Sequence, residues 1–307
     1  MKDLQLHILN ISRNKYHHLI NLPNVQAIGY GFKYVNEKCT YEPCIHALVS
    51  KKINKVNLSY NKLIPKNFMG VKTDVIEIGT IKAQYLTGRV RPLKGGCEIL
   101  TEGFSENVIG SMGCIVSKGL LFKKYYILSN NHVLAGENKF FKGTPIRQPA
   151  HSNKTDFSDI VAELSEFIEI KFETPTELPE NTVDCAIAKI LYKKDISKKV
   201  AFMGEIQSIG IPKIDLKVKK TGAATNFTKG KIKTIGASTL CTFQNNKKAL
   251  FVNQIITTRM SDEGDSGSVL LDNNNKVIGL LMGGTKNSVS VFNDINLVLK
   301  ALKVDLL

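Results

Sequence analysis

From the glycine pair Gly95-Gly96 to about residue 290 the chain is a succession of short β-type runs parted by clusters of Gly, Asn and Asp. That rhythm limits the fold more than any other feature. Runs expected as strands fall at 113–116, 124–129, 182–190, 216–221, 231–235, 249–257, 268–271 and 276–282. Short strands at regular spacing with turn residues between them favour a β-barrel or sandwich. The stretch 221–230 carries glycines but no Gly-Lys-Ser/Thr ending, so it is expected as a β-hairpin rather than a phosphate loop. Residues 293–304 carry Ile295, Leu297, Val298, Leu299 and Leu302 and are expected as a closing helix. Ahead of Arg91-Pro92 the pattern differs: a short amphipathic helix is expected over 1–20, then strands at 25–34, 45–50 and 71–79. Two domains are therefore expected, a small α+β accessory or regulatory region at 1–90 and a mainly β domain at 91–307.

Within the β region, Gly264-Asp265-Ser266-Gly267-Ser268 is a glycine-flanked turn ahead of the apolar run Val269-Leu270-Leu271. A serine hydroxyl is a weak nucleophile at neutral pH and needs a base within hydrogen-bond reach, itself oriented by a third group. Candidates for both lie upstream. His132 ends Tyr125-Tyr126-Ile127-Leu128-Ser129-Asn130-Asn131-His132, an apolar run breaking into a turn, and Asp184 precedes Cys185-Ala186-Ile187-Ala188. The order along the chain is His, Asp, Ser.

With its three ordered anchors each in such a context, the chain resembles the chymotrypsin-like (trypsin-like) serine peptidases, and more narrowly their disulfide-free intracellular branch in bacteria and plants. The resemblance implies two antiparallel barrels of the six-stranded type, His132 and Asp184 on the first and Ser266 on the second, with 136–180, which holds Asp156, Asp159 and several glutamates, a long insertion between the histidine and aspartate strands. It implies a serine endopeptidase in which Ser266 forms the acyl-enzyme, His132 is general base and acid, and Asp184 orients it. The oxyanion hole would lie at Gly264, Asp265 and Ser266, with the N–H groups of Gly264 and Ser266 as donors. Substrate-binding residues would be Met260 at the floor of the primary pocket and Met282, Gly283 and Gly284 along its wall; an uncharged floor points to an apolar or small residue before the scissile bond. In the resembled family the aspartate before the serine pairs with a newly freed amino terminus. Here no Ile-Val-Gly-Gly-type start follows an activation site, so either another group holds Asp265 or processing occurs near Arg89–Arg91. Cleavage after Arg91 is disfavoured by Pro92.

The net charge of +15 raises nucleic acid as a partner. Lysines, however, come as short pairs such as Lys51-Lys52, Lys123-Lys124 and Lys219-Lys220, without a long basic block or zinc-finger spacing, so nucleic acid is not expected. Residues 1–90 hold 13 Lys and Arg against 5 Asp and Glu, and this basic region is where an anionic partner would dock. The six cysteines lack metal-ligand spacing and the histidines form no helical i, i+4 pair; neither a metal nor a cofactor is expected. The absence of a cysteine beside His132, with no 18-residue apolar stretch and no secretory leader at the start, points to a cytoplasmic protein without a membrane span. Cys185 beside Asp184 reads as small and buried rather than reactive. A protein or peptide is the expected substrate. The competing reading is a catalytically silent, peptidase-like binding module.

Overall fold

The computed structural model describes residues 2–36, 38–54, 58–80, 86–103, 106–119, 122–151 and 156–307. The chain divides into two compact units, Met1–Gln84 and Tyr85–Leu307.

In the first unit the amphipathic segment forms two helices, Lys2–Asn14 and His17–Ile20, rather than one. The longer helix has Asp3 in its first turn and Arg13 in its last, each complementing the helix dipole. A four-stranded sheet follows in the order Val25–Val35, Lys38–Val49, Val71–Glu77, Asn67–Phe68. Its first two strands form an antiparallel hairpin, and Lys38–Val49 runs parallel to Val71–Glu77. Ile8, Ile11 and Leu19 of the helices pack on Ile45 and Val71 of the sheet as one apolar core.

The second unit is mainly β. Six of its strands close into an antiparallel ring: Lys217–Gly222 pairs with Asn226–Thr242, then in turn come Lys248–Thr258, Val289–Asp294, Lys276–Gly284 and Val269–Asp272, which pairs back with Lys217–Gly222. The expected hairpin at 221–230 is the turn between the first two of these strands. The other sheet runs in the order Asp305–Leu306, Cys114–Lys118, Lys124–Ser129, Ala186–Ile190, Ile160–Phe167, Pro145–Arg147, Glu98–Glu102, Asn107–Ser111. Only Met112 and Gly113 join Asn107–Ser111, at one edge of this sheet, to Cys114–Lys118, next to the other edge, so the sheet curls to bring those two strands together as a second barrel. The stretch 136–180 is therefore no mere insertion, since it supplies the strands Pro145–Arg147 and Ile160–Phe167; its residues 152–155 lie outside the described residues.

Strand alternation explains the cores. In Val269-Leu270-Leu271 the odd residues face a core shared with Cys114, Val116 and Leu128, while Leu270 faces the interior of the closed ring with Val218 and Phe292. A strand buried on both faces has to be apolar throughout, which is why this run does not alternate. Burying each such side chain contributes roughly 1.5–3 kcal/mol. The closing helix, Ile295–Leu302, is capped by the Asp294 carboxylate accepting from Asn296 N (2.8 Å) and ends at Lys303 in the left-handed region. It lays Val298 and Leu302 on the shared core. No helix among the described residues is long and apolar enough to cross a membrane.

Candidate active site

His132 sits in a single helical turn, Asn131–Leu134, immediately after the strand Lys124–Ser129. The two asparagines before it, both fully buried, fix that turn. Asn130 Nδ2 donates to the Asp184 carbonyl (2.8 Å), and Asn131 Nδ2 donates to Asn138 Oδ1 and the Ile168 carbonyl (2.7 Å each). Asp184 is fully buried; its Oδ2 accepts a short hydrogen bond from His132 Nδ1, and its Oδ1 accepts from the His132 main-chain N–H (3.2 Å). A carboxylate can only accept, so Nδ1 carries the proton and Nε2 keeps its lone pair. The main chain of Asp184 is held in turn from the ring barrel. Its N–H donates to Asn293 Oδ1 (2.6 Å), Asn293 Nδ2 donates to Gln254 Oε1 (2.8 Å), and Gln254 Nε2 donates to the Thr182 carbonyl (3.0 Å). Neither Asn293 nor Gln254 stood out in the sequence, because each lies inside a strand with no motif around it.

Burial pulls the His132 pKa down, but the charge and hydrogen bond of Asp184, with the charge of Glu137, outweigh it and hold the imidazole above its ordinary 6.5. Catalysis through Nε2 needs the neutral ring, so the acid limb of kcat/KM is expected above pH 6.5. Glu137→Gln keeps the acceptor for Gln244 N–H (2.9 Å) while removing the charge. It should move that limb to lower pH; an unmoved limb in a pH–rate profile would count against this source of the shift. Cys185 lies buried in the shared core, and burial together with the Asp184 charge pushes its thiol far above the ordinary range, leaving it inert.

Ser266 lies in the turn before Val269–Asp272. Gly264 (φ +94°) and Gly267 (φ +92°) occupy the left-handed region, and a Cβ on Gly267 would lie 2.0 Å from Ser129 Oγ and 2.4 Å from the Ser111 carbonyl. Ser111, which no motif marks, ties the turn to the other barrel: its N–H donates to the Ser266 carbonyl and its Oγ to the Gly264 carbonyl (2.8 Å each). Among the described residues no hydrogen bond joins Ser266 Oγ to His132; the hydroxyl donates instead to the Met282 carbonyl (3.2 Å). Of the three oxyanion candidates, Asp265 spends its N–H on the Asp262 carbonyl (3.1 Å). The N–H groups of Gly264 and Ser266 have no protein acceptor among the described residues.

The group holding Asp265 is Lys220. Both side chains are completely buried, and Lys220 Nζ lies 2.9 Å from Asp265 Oδ2. That oxygen also accepts from Thr225 Oγ1 (2.7 Å) and Asp262 N (3.0 Å), while Oδ1 accepts from the N–H groups of Ala224 and Thr225 (3.0 Å each). Burial pushes the Asp265 carboxyl up, but Lys220 and the Thr225 bonds outweigh it and hold the group below its ordinary range. The sequence disguised Lys220 as half of a basic pair. Its spacing from Val218 is the one signal available, since i and i+2 share a strand face and Val218 is core.

Of the pocket candidates, Met260 packs inside the ring barrel with Val218 and Ile232, its N–H bonded to Ser290 Oγ (3.0 Å). The Met282 side chain packs with Phe251 and Ile170 and receives Asn293 Nδ2 on its sulfur (3.6 Å), so its carbonyl, not its side chain, meets Ser266. Gly283 borders open space, and Gly284 is backed by Val289 and Ser261. Phe243, beyond the end of the long Asn226–Thr242 strand, sets its ring edge-on 6.0 Å from His132.

No family model matches the sequence, and no curated protein resembles it significantly. Solved structures do match. Protease A of Thermobifida fusca aligns with a TM-score of 0.50 at 17% identity, over 70% of this chain and 97% of its own. A glutamic acid-specific serine protease that uses a histidine triad in substrate binding aligns with a TM-score of 0.50 at 17% identity, over 70% of this chain and 100% of its own. At such identity the likeness shows the fold: the chain carries the two-barrel, chymotrypsin-like serine protease fold.

Proposed function

We propose that this chain, folded as the chymotrypsin-like proteases are, is a serine endopeptidase acting through Ser266, His132 and Asp184. The observation that carries the reading is the buried Asp184 bonded to His132 Nδ1, which leaves Nε2 with the lone pair that a general base needs. In the resting arrangement the Ser266 hydroxyl rests on the Met282 carbonyl. For the reaction the hydroxyl leaves that carbonyl and gives its proton to Nε2 as Oγ attacks the substrate carbonyl carbon. The N–H groups of Gly264 and Ser266 receive the oxyanion, His132 returns the proton to the leaving amine, and water releases the acyl group by the same steps in reverse.

The standing Lys220–Asp265 pair puts a positive charge where the resembled family has a freed amino terminus, which supports activity without cleavage near Arg89–Arg91. Arg91 is also engaged, its Nη2 donating to the Gln148 carbonyl (2.9 Å) and its Nε lying 3.6 Å from Asp195. The separate amino-terminal unit supports a regulated enzyme with a dedicated protein substrate. Six free thiols, four of them buried, support a reducing compartment, the cytoplasm. The uncharged Met260 supports an apolar or small residue before the scissile bond. The test is digestion of an unfolded protein with the products mapped by mass spectrometry. Cleavage lost in Ser266→Ala supports the reading, cuts clustered after Arg or Lys would overturn the pocket assignment, and intact protein at every enzyme level would favour the silent binding module.

A further inference from the structure

On the amino-terminal sheet, Cys44 and His46 stand two residues apart on Lys38–Val49 and so share a face; Asp74, on the parallel neighbour, is the register partner of His46. The Cys44 sulfur, an imidazole nitrogen of His46 and a carboxylate oxygen of Asp74 all lie within 4.8 Å of one another, the one such convergence among the described residues. We propose that these three side chains form a zinc site, with water in the fourth position.

Each ligand is already oriented. His46 Nε2 lies 2.8 Å from the Phe32 carbonyl, which can only accept, so Nε2 holds the proton and Nδ1 is left with a lone pair to offer. A hydrogen bond of this kind on the distal nitrogen is the usual companion of a metal-bound imidazole. Gly31 makes room for it, because a Cβ there would lie 2.1 Å from His46 Cε1. Asp74 Oδ2 accepts from the Tyr34 N–H (2.8 Å), which fixes the carboxylate and leaves its other oxygen for a cation. Cys44 is fully buried, and among the described residues its sulfur has no hydrogen-bond partner. Burial, then the charge of Asp74, pushes the thiol up to about 11, with Glu42 adding to the effect and Lys33 opposing it. A divalent cation reverses that balance: sulfur gives its proton to solvent and its electron pair to the metal, so one proton is released per zinc bound. Thiolate, imidazole and carboxylate together at tetrahedral reach suit Zn2+ better than Mg2+ or Ca2+, which take oxygen ligands. Bound there, the ion would clamp Lys38–Val49 to Val71–Glu77. The residues escaped a search for metal motifs because two of them follow strand spacing and the third comes from a neighbouring strand.

The test is equilibrium dialysis of the full chain against zinc, with the retained metal measured by mass spectrometry, and in parallel titration with Co2+. The expected result is one zinc per chain and a thiolate-to-cobalt charge-transfer band in the near ultraviolet. Cys44→Ser should abolish the band, and Asp74→Asn should weaken zinc binding by at least the roughly 10–100-fold seen when only an outer partner is lost. A chain that retains no zinc, a cobalt complex without the thiolate band, or retention unchanged in a folded Cys44→Ser would overturn the site. Should Cys44→Ser fail to fold, the cobalt band of the native chain and the Asp74→Asn titration still decide.

Discussion

Lys220→Met is expected to cost about 3–5 kcal/mol of stability, because it strands the Asp265 carboxylate in a site from which water is excluded. Both groups are 0% exposed, and Asp265 ties the 224–225 turn to the turn that carries Gly264 and Ser266. With native stabilities of about 5–15 kcal/mol, a loss of that size is a large share of the total. Activity should fall further than stability alone requires. Gly264, a proposed oxyanion donor, lies in this turn, and losing one such donor costs about 10²–10³ in kcat. Urea unfolding and hydrolysis rates measure the two effects separately. Adding Asp265→Asn to Lys220→Met removes the uncompensated charge, so the double variant should regain much of the stability while staying slow. A single variant that unfolds within about 0.5 kcal/mol of the parent would show the pair to be energetically idle.

Asp184→Asn is expected to lower kcat by about 10⁴-fold with the fold intact. The bonds that hold residue 184 in place, from Asn130 to its carbonyl and from its N–H to Asn293, use the main chain and survive the substitution. The change falls on the tautomer. An amide N–H facing Nδ1 moves the imidazole proton to Nε2, and the lone pair that accepts the serine proton is gone. Circular dichroism of the variant should match the parent. A drop of less than about tenfold would mean that His132 does not depend on Asp184 for its tautomer, and that the buried pair is structural.

Much of this could be read from residues alone, and the remainder was hidden for identifiable reasons. The strand Lys124–Ser129 matches its expected bounds because one barrel face and the shared core both demand apolar residues there. The long strand Asn226–Thr242 was legible only at 231–235. Most of its residues are exposed or half-buried on both faces, so hydrophobic alternation is weak along it. Ile160–Phe167 was obscured by Glu163 and Glu166, which mark the whole stretch as acidic although Val161, Ala162 and Leu164 face the core. At the site the turn motifs mark the candidate triad residues, but what holds them in place is remote in sequence. Ser111 reaches Gly264 across 153 residues and Asn293 reaches Asp184 across 109. Lys220 shows the opposite failure: charge suggests surface, and only its register with Val218 betrays a buried partner.

Ser266 is proposed to be an activated nucleophile in the full-length chain, without processing. Fluorophosphonate labelling of the purified full-length protein tests this without a guessed substrate. Covalent labelling of the parent at Ser266, located by peptide mapping, is expected, with none in folded Ser266→Ala or His132→Ala. A folded parent that stays unlabelled, or a label that persists in Ser266→Ala, would contradict it.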